Sequence, residues 1–222
     1  DSEGTYTVTV TNANGCRGID SVVVSQYAPP VAQLGLNESS GIMPNDSIIC
    51  KGGTIYFTGH GGALYQFLIN GFPLSIWDTK PYFEISTLQN GDIVSLWIQD
   101  NNGCEDTTLF GEPRGRSPIK IQVEELPNWT GAQLSLQSSC KGEPVLLRMT
   151  CPNMPDGPYD IVYGLTGANN FLNNKASVGI QNSMGTLNLG PLPNAGATRF
   201  SMNAIRNAAG CERLLDGANT AI

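Results

Sequence analysis

Six cysteines carry most of the available chemistry in this chain: Cys16, Cys50, Cys104, Cys140, Cys151 and Cys211. No two are spaced Cys-x-x-Cys and there is one histidine, His60, so a structural zinc site has no frame. In an acidic, glycine-rich chain such thiols read as disulfide partners, which implies an oxidising compartment. The other candidates offer less. His60 lies between Gly59 and Gly61 with no nucleophile in a recognisable setting. Glu124 and Glu125 are adjacent, so on a strand they point to opposite faces and make a poor acid/base pair. Asp100-Asn101-Asn102 could offer oxygens to calcium, but the Asp-x-Asp-x-Asp-Gly spacing is missing and Asx residues suit a turn for backbone reasons. Trp77, Trp97 and Trp129 are the candidates for a sugar platform. The expectation is no catalytic residue, no cofactor and no metal.

The elements that would position these residues are strands. Tyr6, Val8 and Val10 alternate with Thr7, Thr9 and Thr11, a period of two that puts an apolar row on one sheet face and hydroxyls on the other. Asn14-Gly15 then tolerates positive φ, so the chain can reverse into Val22-Val23-Val24 as a hairpin. The stretch ends in Gly15-Cys16, and it recurs. Residues 93–104 match it without a gap, ending Asn101-Asn102-Gly103-Cys104. Residues 200–211 match it more loosely, ending Ala209-Gly210-Cys211, with Asn203 in an apolar position. Upstream landmarks repeat too: Cys50-Lys51-Gly52-Gly53 with Cys140-Lys141-Gly142-Glu143, the strand at Tyr65 with that at Tyr159, and Leu88 with Leu192. A repeat of this length holding several short strands means tandem β-domains.

Composition agrees. Charged residues make up only 14%, while 26 glycines and 14 prolines suit short strands joined by turns. A net charge of -7 lacks the basic footprint that nucleic acid requires. No apolar run is long enough for a membrane helix, so membrane insertion is not expected.

The expected organisation has three parts. Residues 1–27 form the closing hairpin of one repeat, which reads the chain as a piece of a larger exported protein. Residues 28–125 and 126–222 are two further domains, separated by the stiff Tyr27-Ala28-Pro29-Pro30 connector and by the segment around Pro127. The second would lack its last strand, after Cys211, and would carry a long polar excursion from Gly167 to Asn182. No amphipathic helix is expected. Trp97 falls in the hydroxyl row, so its ring would face outward as a contact surface or lie under the basic insertion at 111–118.

The pattern Cys-x-Gly, an apolar run, a Tyr-containing strand and Gly-x-Tyr-x-Val-x-Val-x-x-x-x-Gly-Cys resembles the immunoglobulin-like, PKD-type repeats of secreted Bacteroidota proteins. Those repeats are strung along cell-surface and gliding-motility adhesins and other cargo of the type IX secretion system. The resemblance implies an all-β chain of tandem immunoglobulin-like (PKD-like) β-sandwiches at the extracellular cell surface. It also implies neighbouring repeats as partners, a surface glycan or protein as ligand, and secretion or outer-membrane machinery as a further partner. The family's O-glycosylation signal, Asp-Ser/Thr followed by an apolar residue or Thr, is matched at Ser21, Ser47 and Thr107.

Repeat position suggests Cys50 with Cys104 and Cys140 with Cys211, leaving Cys16 to a partner expected upstream of this stretch. In an immunoglobulin sandwich, however, those turns lie at opposite ends, and a disulfide needs Cα atoms within about 7 Å. An interdomain Cys50–Cys211 staple and a Cys151–Cys211 bond are the alternatives. The function expected is a non-enzymatic stalk or adhesin segment. A carbohydrate-binding accessory module of a secreted hydrolase, or a region bound by type IX export machinery, would be its rivals.

Overall fold

The computed structural model describes residues 2–137, 140–215 and 220–222. Among them every regular element is a strand. The first is a lone hairpin, β1 (Gly4–Thr11) with β2 (Arg17–Val24), paired antiparallel from Gly4↔Val24 to Thr11↔Arg17. Tyr6, Val8 and Val10 share a face with Val22 and Val24, and all five are exposed. Two compact units hold the chain. One comprises Asp1–Gly35, Thr58–Phe83 and Val94–Pro118, the other Leu36–Phe57, Glu84–Ile93 and Ile119–Ile222.

The next ten strands follow as β3 (Gln33–Asn37), β4 (Ile48–Cys50), β5 (Ile55–His60), β6 (Leu64–Ile69), β7 (Phe72–Pro73), β8 (Tyr82–Ile85), β9 (Ile93–Gln99), β10 (Glu105–Thr107), β11 (Ile119–Lys120) and β12 (Gln122–Glu124). They form sheets ordered β3-β5-β8 and β10-β9-β6-β7, with β4 and β12 paired in parallel. In β9 the alternation is complete: Val94, Leu96 and Ile98 are buried and the residues between them are half-buried. β7 is short, Phe72–Pro73, although the Leu74 amide still donates to the Phe67 carbonyl at 2.9 Å.

The last eight strands are β13 (Gln133–Gln137), β14 (Pro144–Thr150), β15 (Gly157–Gly167), β16 (Phe171–Gln181), β17 (Met184–Pro191), β18 (Thr198–Arg206), β19 (Glu212–Leu214) and β20 (Thr220–Ala221). Their sheet runs β13-β14-β17-β16-β15-β18-β19, with β20 also on β18. In both repeats the first, second and fifth major strands associate, as do the third, fourth, sixth and seventh. That is the wiring of an immunoglobulin-like β-sandwich. The core of the final repeat gathers Trp129, Leu147, Met149, Ile161, Ile180, Phe200 and Met202. Burying a chain's apolar rows in this way is the main drive to fold it, at about 25 cal/mol per Å².

Three expectations need correction. The polar excursion from Gly167 to Asn182 is mostly strand β16. Ala176, Val178 and Ile180 turn inward while Lys175, Ser177 and Gly179 turn outward, so period two survives beneath the polar composition. A strand was not expected beyond Cys211, yet β19 and β20 both pair with β18 there. Asn203 does not spoil the apolar row either. The register between β15 and β18 slips between Val162↔Ala204 and Tyr163↔Met202, and this bulge lets Phe200 and Met202 face inward together with Ile205.

Candidate functional site

Three hairpin tips share one local design. In each, an Asx residue begins a five-residue turn that ends in Gly-Cys. Asn12, Asp100 and Asn207 donate their amides to the carbonyls of Cys16, Cys104 and Cys211 at 3.0, 2.9 and 3.0 Å. The same three carboxyl or amide side chains accept the cysteine amide through Oδ1, at 3.0, 2.8 and 2.9 Å. Gly15, Gly103 and Gly210 all sit at φ 82°. A left-handed glycine and an Asx acceptor at fixed spacing therefore place a cysteine at one geometric position three times.

A second tip is also reused. Gly53 donates to the Cys50 carbonyl at 2.8 Å and Glu143 to the Cys140 carbonyl at 3.0 Å. Gly52 (φ 79°) and Gly142 (φ 90°) supply the left-handed residue. The two kinds of tip meet once. Cys50 and Cys211 form a disulfide with Cα atoms 5.4 Å apart across 161 positions of sequence. The Cys50–Cys104 and Cys140–Cys211 pairs suggested by repeat position are therefore not made, nor is Cys151–Cys211. Cys50–Cys211 is, and both cysteines lie in the same compact unit. Cys16, Cys104, Cys140 and Cys151 are free thiols, the last of them buried.

The surroundings of this bond are built from the same unit. Gln122 donates to the Ser47 carbonyl and Lys51 to the Glu124 carbonyl as β12 runs beside β4. Asn207 Nδ2 donates to the Glu125 carbonyl at 3.0 Å. Lys51 Nζ meets Glu125 Oε1 at 2.8 Å, but both groups are well exposed and such a pair is worth little. Below the bond, the polar loop after β3 is organised by one buried acid. Glu38 Oε2 accepts the Ser40 amide and hydroxyl, and Oε1 accepts the Asp46 amide. Ser40 Oγ in turn accepts the Cys50 amide at 3.3 Å. Sequence reasoning passed over Glu38. A carboxylate two residues before a serine gives no local signal; its role follows from burial and from loop closure.

His60 is exposed at the end of β5. Glu124 is spent in β12 and Glu125 on Lys51. Desolvation pushes the Asp100 carboxyl up, but amide donors from Cys104, Asn102 and Gly103 and the Asn102 side chain outweigh it and hold the carboxyl below its ordinary value. Among the described residues no group of three or more His, Cys, Asp or Glu side chains could hold a metal ion. Trp97 is half-buried, its ring 5.4 Å from Trp77 at an interplanar 62°. Its neighbour across the ladder, Gln66, donates to the Ser75 carbonyl. The segment after β7 thus folds over this face, and the two indoles meet edge-on instead of forming a flat platform. Phe72 and Ile76 are exposed. Of the glycosylation candidates, Ser21 is exposed in β2 and Ser47 is half-buried at φ 70°. Thr107 donates its hydroxyl to the Leu96 carbonyl at 2.9 Å.

No family model and no curated protein matches this chain. Among solved structures it is similar to fibronectin(III)-like modules of Clostridium thermocellum CbhA, at 9% identity and a TM-score of 0.46, covering 85% of this chain and 91% of that one.

Proposed function

We propose that this chain is a non-catalytic, load-bearing run of immunoglobulin-like repeats, a stalk or adhesin segment on the outer surface of a cell. Residues 1–27 serve as the closing hairpin of one repeat, and 28–125 and 126–222 as two more. The observation that carries this reading is the Cys50–Cys211 bond, which closes 161 positions of sequence within one compact unit; in the proposed organisation it ties one repeat to the next. A bond of that kind does nothing for catalysis. It removes conformations from the unfolded chain, about 5 kcal/mol for a loop of 161 residues in the chain-entropy picture. It also requires an oxidising compartment. The resemblance to surface adhesins supports adhesion or gliding as the setting, with neighbouring repeats as the first partners and a surface glycan or protein as the distal one.

Pulling the chain by its ends tests this directly. With the bond intact, the 161 positions between the cysteines stay hidden from extension, and reduction releases about 560 Å of contour length at roughly 3.5 Å per residue. Equal contour lengths with and without reductant would remove the mechanical reading.

A further inference from the structure

We propose that the cleft beside Cys140 receives the Asx-x-x-Gly-Cys hairpin tip of a further repeat of this kind, and that Cys140 closes a disulfide with the cysteine of that tip. The inference rests on the stapled-array reading and extends it. Cys140 stands in the same four-residue turn as Cys50, with the matching backbone hydrogen bond and the matching left-handed glycine. At Cys50 that turn is occupied by a Gly-Cys tip. At Cys140 it borders an open cleft of about 300 Å³.

The cleft is lined by Cys140, Lys141, Asn194, Gly196, Thr198 and Ile222 among others, a mixture of backbone, amide and apolar carbon suited to a small-residue turn. Its far wall is fixed. Asn169, almost wholly buried, donates from Nδ2 to the Asn194 carbonyl and Thr198 Oγ1, both at 2.9 Å, and accepts the Asn194 amide at 3.0 Å. Ala168 donates to the Ala197 carbonyl at 2.9 Å. The two turns differ in what precedes them in sequence. Asn37 and Cys50 are separated by the loop that Glu38 organises, whereas β13 ends at Gln137, only three positions before Cys140.

Closing the bond removes two protons and two electrons from two thiols. A disulfide oxidant such as oxidised glutathione accepts them and is cleaved to two thiols.

A second copy of the chain supplies the probe, since its exposed Cys16 sits on a free Asx-x-x-Gly-Cys tip. The chain is held at high concentration in a glutathione redox buffer, quenched, digested and mapped by mass spectrometry. Cys140 joined to Cys16 of another copy should exceed Cys140–Cys140 at least tenfold, and Gly15→Ala, which disturbs only the tip, should reduce that product severalfold. Cys140 recovered chiefly as a glutathione adduct, or paired with itself as often as with Cys16, overturns the proposal. The Cys50–Cys211 peptide separates the two readings. Its presence with a failed Cys140 pairing sinks this inference alone, and its absence sinks the stapled-array function as well.

Discussion

Gly210 lies against Gly41 so closely that a Cβ on Gly210 would stand 2.6 Å from the Gly41 carbonyl carbon and 2.8 Å from the Ile42 amide nitrogen. The contact joins the Glu38-organised loop to the tip that carries Cys211. Gly103 has the same φ of 82° in the equivalent tip, with nothing within 4 Å of its Cβ position. The pair separates two costs. Gly103→Ala should lose about 1–2 kcal/mol for placing alanine in the left-handed region. Gly210→Ala should lose that and the backbone contact too. In a glutathione equilibrium, Gly210→Ala should lower the stability of the Cys50–Cys211 bond at least tenfold, while Gly103→Ala leaves it unchanged. Equal behaviour of the two variants would mean the contact does not seat the tip.

Asp100 is the charged member of the three tips, the other two having asparagine at that position. Its folded pKa lies below the ordinary value because, against desolvation, the backbone amides of Cys104 and Asn102 favour the carboxylate. The sign follows from linkage. The contribution is complete above the unfolded-state value of 3.8 and is lost as pH falls through the lower folded value. Asp100→Asn keeps an Oδ1 acceptor, so the turn should persist at neutral pH while the acid limb of the stability curve flattens. Asp100→Ala should weaken the turn at every pH. Urea midpoints between pH 2 and 7 report both, and an acid limb unchanged by Asp100→Asn would disprove the assignment.

What could be read from the sequence is what short-range rules encode. The Asx-x-x-Gly-Cys tips were legible because a side-chain acceptor and a left-handed glycine act within five residues. β9 was legible because period two runs through Val94, Leu96 and Ile98 without interruption. β18 was less so, since the bulge at Asn203 shifts phase in mid-strand and only the pairing with β15 shows it. β16 hid its alternation behind Asn173, Asn174 and Lys175. The choice of Cys50 for Cys211 depends on contact across 161 positions, and repeat position alone pointed elsewhere. Glu38 lay beyond reach for the same reason: a lone acid reads as surface until burial and three donors are seen around it.

Cys151 differs from the other free cysteines in its surroundings. It is wholly buried in the core of the final repeat, and desolvation pushes its thiol up to about 11. Tyr159 beside it is raised as well, first by desolvation and then by Cys151 and Asp156. Because the thiolate is the nucleophile, about one Cys151 in a thousand would be ionised at pH 8, and even that fraction is shielded from reagent. Iodoacetamide at pH 8 should therefore alkylate the exposed Cys16 and Cys140 fully before Cys151 reacts at all, with Cys151 labelled only in denaturant. The raised thiol also sets a limit at high pH. Its contribution is intact below the unfolded-state value of 9.0 and is lost as pH climbs toward 11, because the unfolded chain ionises first. Cys151→Ala should thus flatten the alkaline limb of the stability curve while costing about 1 kcal/mol at neutral pH through the small cavity it leaves. Labelling of Cys151 at the rate of Cys16 in native buffer would show that the core around Met149, Met154 and Tyr159 is not closed.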